Sequence, residues 1–283
     1  MGSKQRKVDY PLQAKVGTQL RLHCDFPFVT GRNEMTLITC DSTGFWNPEP
    51  DTCLDNDPEL ENVAKSLRMA VKTSRMVEVA QIFPPNLDPS RRKYLVDSQA
   101  STTKGWTALM EAIVVGSLPM VQFLSQPQIS PNLLLRDASP DSNTAFHLAV
   151  KKKRPDIVAT LLQLDGRQVL ARNNHLKTAL NLAADLNDTN TALLLINNAA
   201  PDLNNADDMG RTALMSASSL NNLQIVSALA EKGANVTLRD KVGDMAVHIA
   251  AYYRYKDIVA FFFNHFPFLR NERDGYGNLP VCC

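Results

Sequence analysis

The pattern of apolar positions between residues 104 and 281 predicts pairs of short helices. A run of Thr-Ala-Leu or a close variant opens each first helix, and a second small Ala follows three residues later. Apolar residues then stand nine and twelve positions after that Ala, which places them on one face of a second helix. The Ala positions are Ala112, Ala149, Ala183, Ala217 and Ala250. The apolar positions are Val121, Val158, Ala192, Val226 and Val259, and Leu124, Leu161, Leu195, Leu229 and Phe262.

This pattern recurs at a nearly constant period. The copies begin at Thr107, Thr144, Thr178, Thr212 and Met245, which are 37, 34, 34 and 33 residues apart, and a further start lies at Gly277. Four residues after the small Ala come Gly116, Lys153, Asn187, Asn221 and Arg254. Gly and Asn suit a left-handed helix stop, whereas Lys and Arg fit that conformation less well. A regular period of this length indicates a repeat array.

Turn residues separate the copies. Asp stands three residues before Gly in the segments 207–210, 240–243 and 274–277. Asp at the first position and Gly at the fourth are typical of a type I turn. Each unit is therefore predicted to run turn, helix, short loop, helix and longer loop.

These features resemble an ankyrin repeat array. The family has a period of about 33 residues and opens its first helix with Thr-Pro-Leu-His-x-Ala. Two copies keep the His, as His147 and His248, while Ala replaces the family Pro in the five full copies. The resemblance implies a helical solenoid that binds partners through its turn tips and first-helix surfaces. The partner-binding residues it implies are Trp106, Arg136, Asp137, Arg172, Asn174, Asp208, Met209, Arg211, Arg239 and Lys241.

The rest of the chain divides around this array. We expect a degenerate ankyrin-like cap and loop over 58–103, repeats over 104–274, and the truncated start of a further repeat over 275–283. The expected units are 104–137, 141–173, 175–207, 210–242 and 243–272. A repeat array needs terminal units with one solvent-tolerant face. The segment from 86 to 104 is interpreted as an insertion or long loop.

Residues 1–55 differ in character from the array. Two strand-like runs precede a segment with Gly44, Trp46 and Cys53, a spacing that resembles the second half of a sushi (complement control protein) module. That family has four cysteines, and only the last three have counterparts here, as Cys24, Cys40 and Cys53. The resemblance implies a Cys24–Cys53 disulfide and leaves Cys40 without a partner. The predicted fold class is therefore mostly α: an ankyrin-type helical solenoid with a short N-terminal β-rich, disulfide-capable segment.

Composition and charge exclude several functions. The chain has 30 basic and 29 acidic residues among 283, a net charge of +1, which argues against a nucleic-acid module. It contains no apolar run long enough to span a membrane. The N-terminal residues have a basic start but no apolar core behind it, so we expect no signal peptide, and this favours the cytoplasm.

Motif searches nominate no catalytic or metal site. The five His residues stand more than ten positions apart, and phosphate-binding and nucleophile-elbow motifs do not occur. We interpret His147 and His248 as structural residues. The run Lys151 to Arg154 is interpreted as a solvated loop between the two helices of one unit, the alternative being a nuclear localisation signal or an anion-binding patch. We expect no cofactor and no metal.

The sequence thus predicts a non-enzymatic scaffold, monomeric, that binds a protein partner across the concave face of the array. About 60 residues outside the repeats are too few for an ordinary catalytic domain. The alternative is a secreted or membrane-tethered adaptor that uses both the sushi-like and the ankyrin modules.

Overall fold

The computed structural model describes residues 19–23, 35–40, 46–47, 58–99, 105–198 and 201–281. The chain divides into two compact units, Met1–Glu61 and Asn62–Cys283. In the first unit, the strands β1 (Gln19–His23), β2 (Met35–Cys40) and β3 (Trp46–Asn47) pair antiparallel in that order.

The predicted disulfide of this segment is not supported. Cys24 and Cys53, whose pairing the sushi resemblance implied, lie outside the described residues, as do Cys282 and Cys283. For Cys40 the structure describes only the backbone, paired with Trp46.

Three helices precede the predicted repeats: α1 (Pro58–Lys72), most of which belongs to the second unit, α2 (Met76–Ile82) and α3 (Pro89–Asp97). Helix α3 lies where the sequence predicted a loop, and that prediction was wrong. The cause is local, because the Asp88 carboxylate accepts hydrogen bonds from the backbone N–H of Ser90 and Arg91, and Pro89 occupies the first helical position.

Five helix pairs follow. The first helices, called inner here, are α4 (Ala108–Val115), α6 (Ala145–Lys151), α8 (Ala179–Asp185), α10 (Ala213–Ser219) and α12 (Ala246–Tyr252). The second helices, called outer, are α5 (Leu118–Leu124), α7 (Pro155–Leu164), α9 (Thr189–Asn198), α11 (Leu223–Glu231) and α13 (Lys256–His265). Two 3₁₀ helices, Gly166–Leu170 and Pro267–Asn271, lead out of α7 and α13.

The helix pairs stack as two parallel layers. Each inner helix packs against the next inner helix, from α4 to α12, and each outer helix packs against the next outer helix, from α5 to α13. The core lies between and within these layers, and the apolar positions predicted from the pattern are all buried there. The small Ala of each inner helix has no solvent exposure, as expected for close helix–helix approach.

Thr residues start four of the inner helices. The hydroxyls of Thr107, Thr144, Thr178 and Thr212 each accept a hydrogen bond from the backbone N–H three residues on. Such an N-cap satisfies one of the unpaired N–H groups of the first turn and contributes about 1 kcal/mol. In the fifth unit Met245 takes this place, and there the side chain of His248 accepts from the Met245 N–H at 3.3 Å.

His147 and His248 have the structural role predicted for them. The Nδ1 atom of His147 accepts from the Thr144 N–H at 3.3 Å, and Nε2 donates to the Lys177 carbonyl at 3.1 Å. His248 makes the equivalent pair of bonds, to Met245 N–H and to the Glu272 carbonyl at 3.0 Å. Each imidazole therefore ties the start of its helix to the segment that leads into the next unit.

The left-handed stop is present in every unit, including those without Gly or Asn. Gly116, Lys153, Asn187, Asn221 and Arg254 have φ values of 82°, 53°, 54°, 57° and 61°. Ser74, four residues after Ala70, has φ 58° and gives α1 and α2 the same link. Lys153 and Arg254 fit the position sterically less well than Gly, yet the stacking of the helices imposes it on them.

Candidate interaction surface

Five hairpin turns, called fingers here, project between successive helix pairs. They comprise 137–143, 173–177, 207–211, 240–244 and 274–278, and are numbered first to fifth. In each finger the first N–H donates to the last carbonyl, at 2.8, 3.0, 2.9, 3.0 and 2.9 Å respectively. The Oδ1 atom of each first residue, Asp or Asn, also accepts two backbone N–H groups of its own finger. In the last three fingers the N–H of Gly210, Gly243 and Gly277 also donates to the carbonyl of the first Asp, at 3.0, 3.0 and 3.1 Å, as the predicted turns require.

Backbone hydrogen bonds join the fingers to each other. The N–H of Asn174 donates to the Asp141 carbonyl at 2.8 Å, that of Asp208 to the His175 carbonyl at 3.0 Å, and that of Lys241 to the Met209 carbonyl at 3.0 Å. The first four fingers therefore form one continuous row. Side chains on this row are held in a fixed order by main-chain geometry.

The sequence-predicted contact residues lie along this row. Asn174, Asp208 and Lys241 occupy the second position of successive fingers, and Arg136, Arg172 and Arg239 each directly precede a finger. Met209 is a tip residue of the third finger and Arg211 its last residue, while Trp106 lies just before α4 at the place where Arg211 stands before α10. All of these residues are exposed or half-buried.

Asp137 is the exception among the predicted contact residues. It is buried, and its carboxylate accepts from the Asn143 N–H at 2.8 Å, the Ser139 hydroxyl at 2.6 Å and the Ser139 N–H at 3.3 Å. All three bonds go to Oδ1 and hold the first finger. Asp137 therefore has a structural role in the turn, and its part in partner contact stays a prediction.

The sequence reasoning missed two features of the fingers. Arg273 precedes the fifth finger just as Arg239 precedes the fourth, and each donates to the carbonyl of its finger's Gly, Gly277 and Gly243 respectively. The tips of the last three fingers carry exposed apolar side chains, with exposed fractions of 55% for Met209, 47% for Val242 and 77% for Tyr276. Reading the repeat period residue by residue through each turn would have found both.

Ion pairs connect the fingers to the inner helices. The Nζ atom of Lys151 on α6 lies 2.6 Å from an Asp141 oxygen, and that of Lys177 lies 2.7 Å from an oxygen of Asp185 on α8. Burial opposes the charge on Lys177, but Asp185 and Asp207 raise its pKa. The fingers thus lie against the carboxyl-terminal ends of α6 and α8. The recess between the first finger, α4 and α6 is called the groove here.

His175 bridges three fingers. Its Nδ1 atom lies 3.0 Å from an Asp208 oxygen, and its Nε2 atom lies 3.4 Å from an Asp141 oxygen. The hydrogen bond to Asp208 raises the pKa of His175, and the charge of Asp141 adds to that effect. The charged form of this exposed imidazole is therefore favoured by both neighbours.

The described residues were compared with the requirements of a metal site and of a membrane span. In the described ranges, His, Cys, Asp and Glu side chains do not assemble in threes as metal ligands would. Every helix in the described part of the chain is too short or too polar to cross a membrane.

Comparison with known proteins identifies the repeat. The family model described as "Ankyrin repeat" matches residues 141–174, and the model described as "Ankyrin repeats (3 copies)" matches residues 180–272. A transient receptor potential cation channel subfamily A member 1 homolog from Caenorhabditis elegans is 29% identical over 177 residues. That match covers 62% of this chain and 14% of the channel homolog, so the chain spans a small part of this relative's length.

The fold also matches a solved structure. The crystal structure of the ankyrin repeat domain of Bcl-3, described as a unique member of the IkappaB protein family, has a TM-score of 0.66 to this chain at 23% identity. The match covers 76% of this chain and 92% of that domain.

These comparisons do not support the sushi resemblance of residues 1–55, nor the secreted or membrane-tethered adaptor that depended on it. They do establish the repeat itself. On this evidence, the helix pairs of the second unit form an ankyrin-type solenoid, and the chain carries ankyrin repeats.

Proposed function

We propose that this chain binds a protein partner across the face formed by the finger row and the inner helices. Ankyrin repeats indicate a protein–protein interaction scaffold and are typically non-enzymatic. The observation that carries the proposal is the hydrogen-bonded finger row, which presents exposed cations and apolar tips in a fixed order. Partner segments laid across it would meet several units at once.

The exposed side chains on the row suit an interface. Arg is enriched among residues that dominate binding energy, and large apolar side chains such as Tyr and Met are enriched in interface cores. Met209, Val242 and Tyr276 lie on consecutive fingers, with the exposed Lys241 beside Val242. Arg239 is also exposed, but its guanidinium lies 3.0 Å from a Glu272 oxygen and donates to the Gly243 carbonyl. Exposed apolar side chains in this regular arrangement favour an interaction surface over scattered surface residues.

Charge reversal on the row tests this proposal. Partners would be recovered from cell extract by crosslinking to the 283-residue chain and identified, and their affinity measured with purified components. We expect the triple variant Arg172→Glu, Arg239→Glu and Lys241→Glu to weaken binding at least tenfold. Rim charges act on association rate and salt dependence, so part of the loss should appear as a slower association rate.

A matched triple controls for net charge. Lys72→Glu, Lys232→Glu and Lys256→Glu change the same number of exposed cations, which lie at helix ends and not on the fingers. Thermal unfolding of both triples would show whether the fold is kept. Equal affinity of the two triples for every recovered partner would overturn the proposed surface.

A further inference from the structure

The groove holds a cavity of about 340 Å³. It lies between the first finger and the inner helices α4 and α6. Its apolar lining comes from Trp106, Val114, Pro140 and Leu148. This volume falls at the small end of ligand-pocket sizes, which run from about 300 to 1,000 Å³.

The cavity exists because the first finger differs from the others. It spans residues 137–143, two more than each later finger, so that Pro140 and Asp141 extend over the groove. In addition, Trp106 stands at the position that Lys177 and Arg211 occupy in later units. A long finger and a large ring at the base of the groove together produce a recess with an apolar wall.

Some charged side chains around the cavity are already paired within the protein, and others are not. The Asp137 carboxylate is occupied by its own turn, and the Asp141 carboxylate is paired with Lys151 at 2.6 Å. Lys152 lines the rim and Lys153 follows it. Both are exposed and have no ion-pair partner among the described residues, whereas the negatively charged Asp137 is buried. The exposed and unpaired charge at the mouth is therefore positive.

We propose that this cavity receives one large apolar side chain from an acidic segment of the partner, with neighbouring carboxylates facing Lys152 and Lys153. This inference rests on the proposed function and specifies where and what the scaffold binds. Apolar anchors that fill a pocket dominate the energy of many interfaces, while complementary charges at the rim set orientation and association rate. The basic run, interpreted from sequence as a solvated loop, thereby becomes the entrance to a binding pocket.

The test begins with a selection that assumes no partner. A phage-displayed library of random linear 12-residue peptides is selected on the immobilised 283-residue chain, and enriched peptides are synthesised. We expect them to share an aromatic or large aliphatic residue next to Asp or Glu. No enrichment above the bare surface, or enriched peptides without these residues, would overturn the inference.

Two neighbouring positions on α4 then locate the peptides. Val114 lines the cavity, whereas Val115 is exposed outside it, so Val114→Phe fills the recess and Val115→Phe adds the same group elsewhere. We expect Val114→Phe to weaken peptide binding at least tenfold and Val115→Phe to leave it within twofold. Lys152→Glu, at an exposed position, should weaken binding at least threefold even if Val114→Phe fails to fold.

Trp106 supplies a direct report of occupancy. Trp46 and Trp106 are the two tryptophans of the chain, so a Trp46→Phe background leaves Trp106 as the single indole emitter. Peptides without tryptophan should shift or quench its fluorescence on binding. Binding without any change in Trp106 emission, together with equal affinity for Val114→Phe and wild type, would exclude the cavity.

The finger triple separates this inference from the proposed function. If the peptides bind weakly to the Arg172, Arg239 and Lys241 triple but normally to Val114→Phe, the proposed finger-row surface is supported and the pocket is excluded. The reverse result supports the pocket and excludes the finger row.

Discussion

At the scale of single residues, one buried polar side chain on each of three inner helices, α6, α8 and α12, ties two successive helix pairs together. In the second and fifth units this residue is His147 or His248, and in the third it is Asn181. The Oδ1 atom of Asn181 accepts from the Thr178 N–H at 3.1 Å, and its Nδ2 donates to the Asn205 carbonyl at 3.0 Å. A neutral imidazole and an amide therefore make the same two contacts. Each accepts a hydrogen bond from the start of its own helix and donates one to the segment that leads into the next helix pair.

The burial of His147 has a consequence for acid stability. Desolvation lowers the pKa of His147 from 6.5 to about 4. Between these pH values the unfolded chain binds a proton at His147 that the folded chain does not bind. The contribution of His147 to the free energy of unfolding is therefore fully present above about pH 6.5 and is lost as the pH falls toward 4. The size of this effect is about 3 kcal/mol, since each pKa unit corresponds to about 1.4 kcal/mol.

We predict that His147→Asn removes this component of the pH dependence. Between pH 7.5 and pH 4, wild type should lose about 3 kcal/mol more of its free energy of unfolding than the variant does. Urea unfolding at a series of pH values measures both. The reciprocal change Asn181→His should introduce the same acid sensitivity into the third unit. A difference that stays constant with pH would show that His147 is not held neutral by burial.

At the scale of elements, the inner helices end in a left-handed residue whatever its type. Lys153 has φ 53° and carries a Cβ, whereas Gly116 occupies the same place in the first unit without one. The left-handed conformation costs a residue with a Cβ about 1 kcal/mol. Lys153 and Arg254 are therefore held in an unfavourable backbone conformation, and the packing of neighbouring helix pairs offsets its cost.

We predict that Lys153→Gly stabilises the chain by about 0.5–1 kcal/mol, because it relieves this cost. Lys152 is the matched control, since it adjoins Lys153 but has φ −86°, and Lys152→Gly should destabilise by a similar amount. Chemical unfolding of both variants measures the two effects. A loss of stability in Lys153→Gly would contradict the steric argument.

Where the fourth and fifth fingers meet, a Cβ added at Gly275 would lie closer to another backbone segment than one added at any other described glycine. A Cβ at residue 275 would collide with the Val242 carbonyl, whereas a Cβ at Gly166 would meet no atom within 4 Å. We predict that Gly275→Ala destabilises the chain by about 1–3 kcal/mol, as overpacking does elsewhere. Gly166→Ala should stay within about 0.5 kcal/mol of wild type. Equal unfolding midpoints for the two variants would contradict the close approach.

At the scale of the whole compact unit Asn62–Cys283, stability comes from contacts between neighbouring helix pairs and not from one central core. Each inner and outer helix contacts its counterparts in the adjacent units. In such an array the free energy of unfolding is approximately a sum of unit stabilities and interfaces between neighbours. A substitution in a central unit therefore acts on two interfaces.

We predict that Leu195→Ala destabilises the chain by about 2–5 kcal/mol, because Leu195 is fully buried on the central outer helix α9. Leu164→Ala, at a partly exposed position on α7, should cost less than about 1 kcal/mol. Urea unfolding followed by far-ultraviolet circular dichroism compares the two. Similar losses would indicate that α9 does not occupy the middle of the stack.

The sequence alone determined the period, the helix pairs, the turn chemistry and the structural role of the two buried His residues. These follow from local rules, because helix caps, turn residues and apolar spacing act over a few residues. It did not find α3, whose Asp-Pro start was visible but whose sequence lacks a strong apolar stripe. It also did not show that Asp137 is buried, because a turn sequence does not reveal which carboxylate bonds to the backbone of its own turn.

Tertiary structure decided what depends on residues from several units. Asp141, His175 and Asp208 come together only because successive fingers are joined by backbone hydrogen bonds. The cavity beside Trp106 likewise requires the long first finger to lie over two inner helices. Local preference specifies each unit, whereas the surface shared between units arises from how they stack, and the period brings together residues 33 to 37 positions apart.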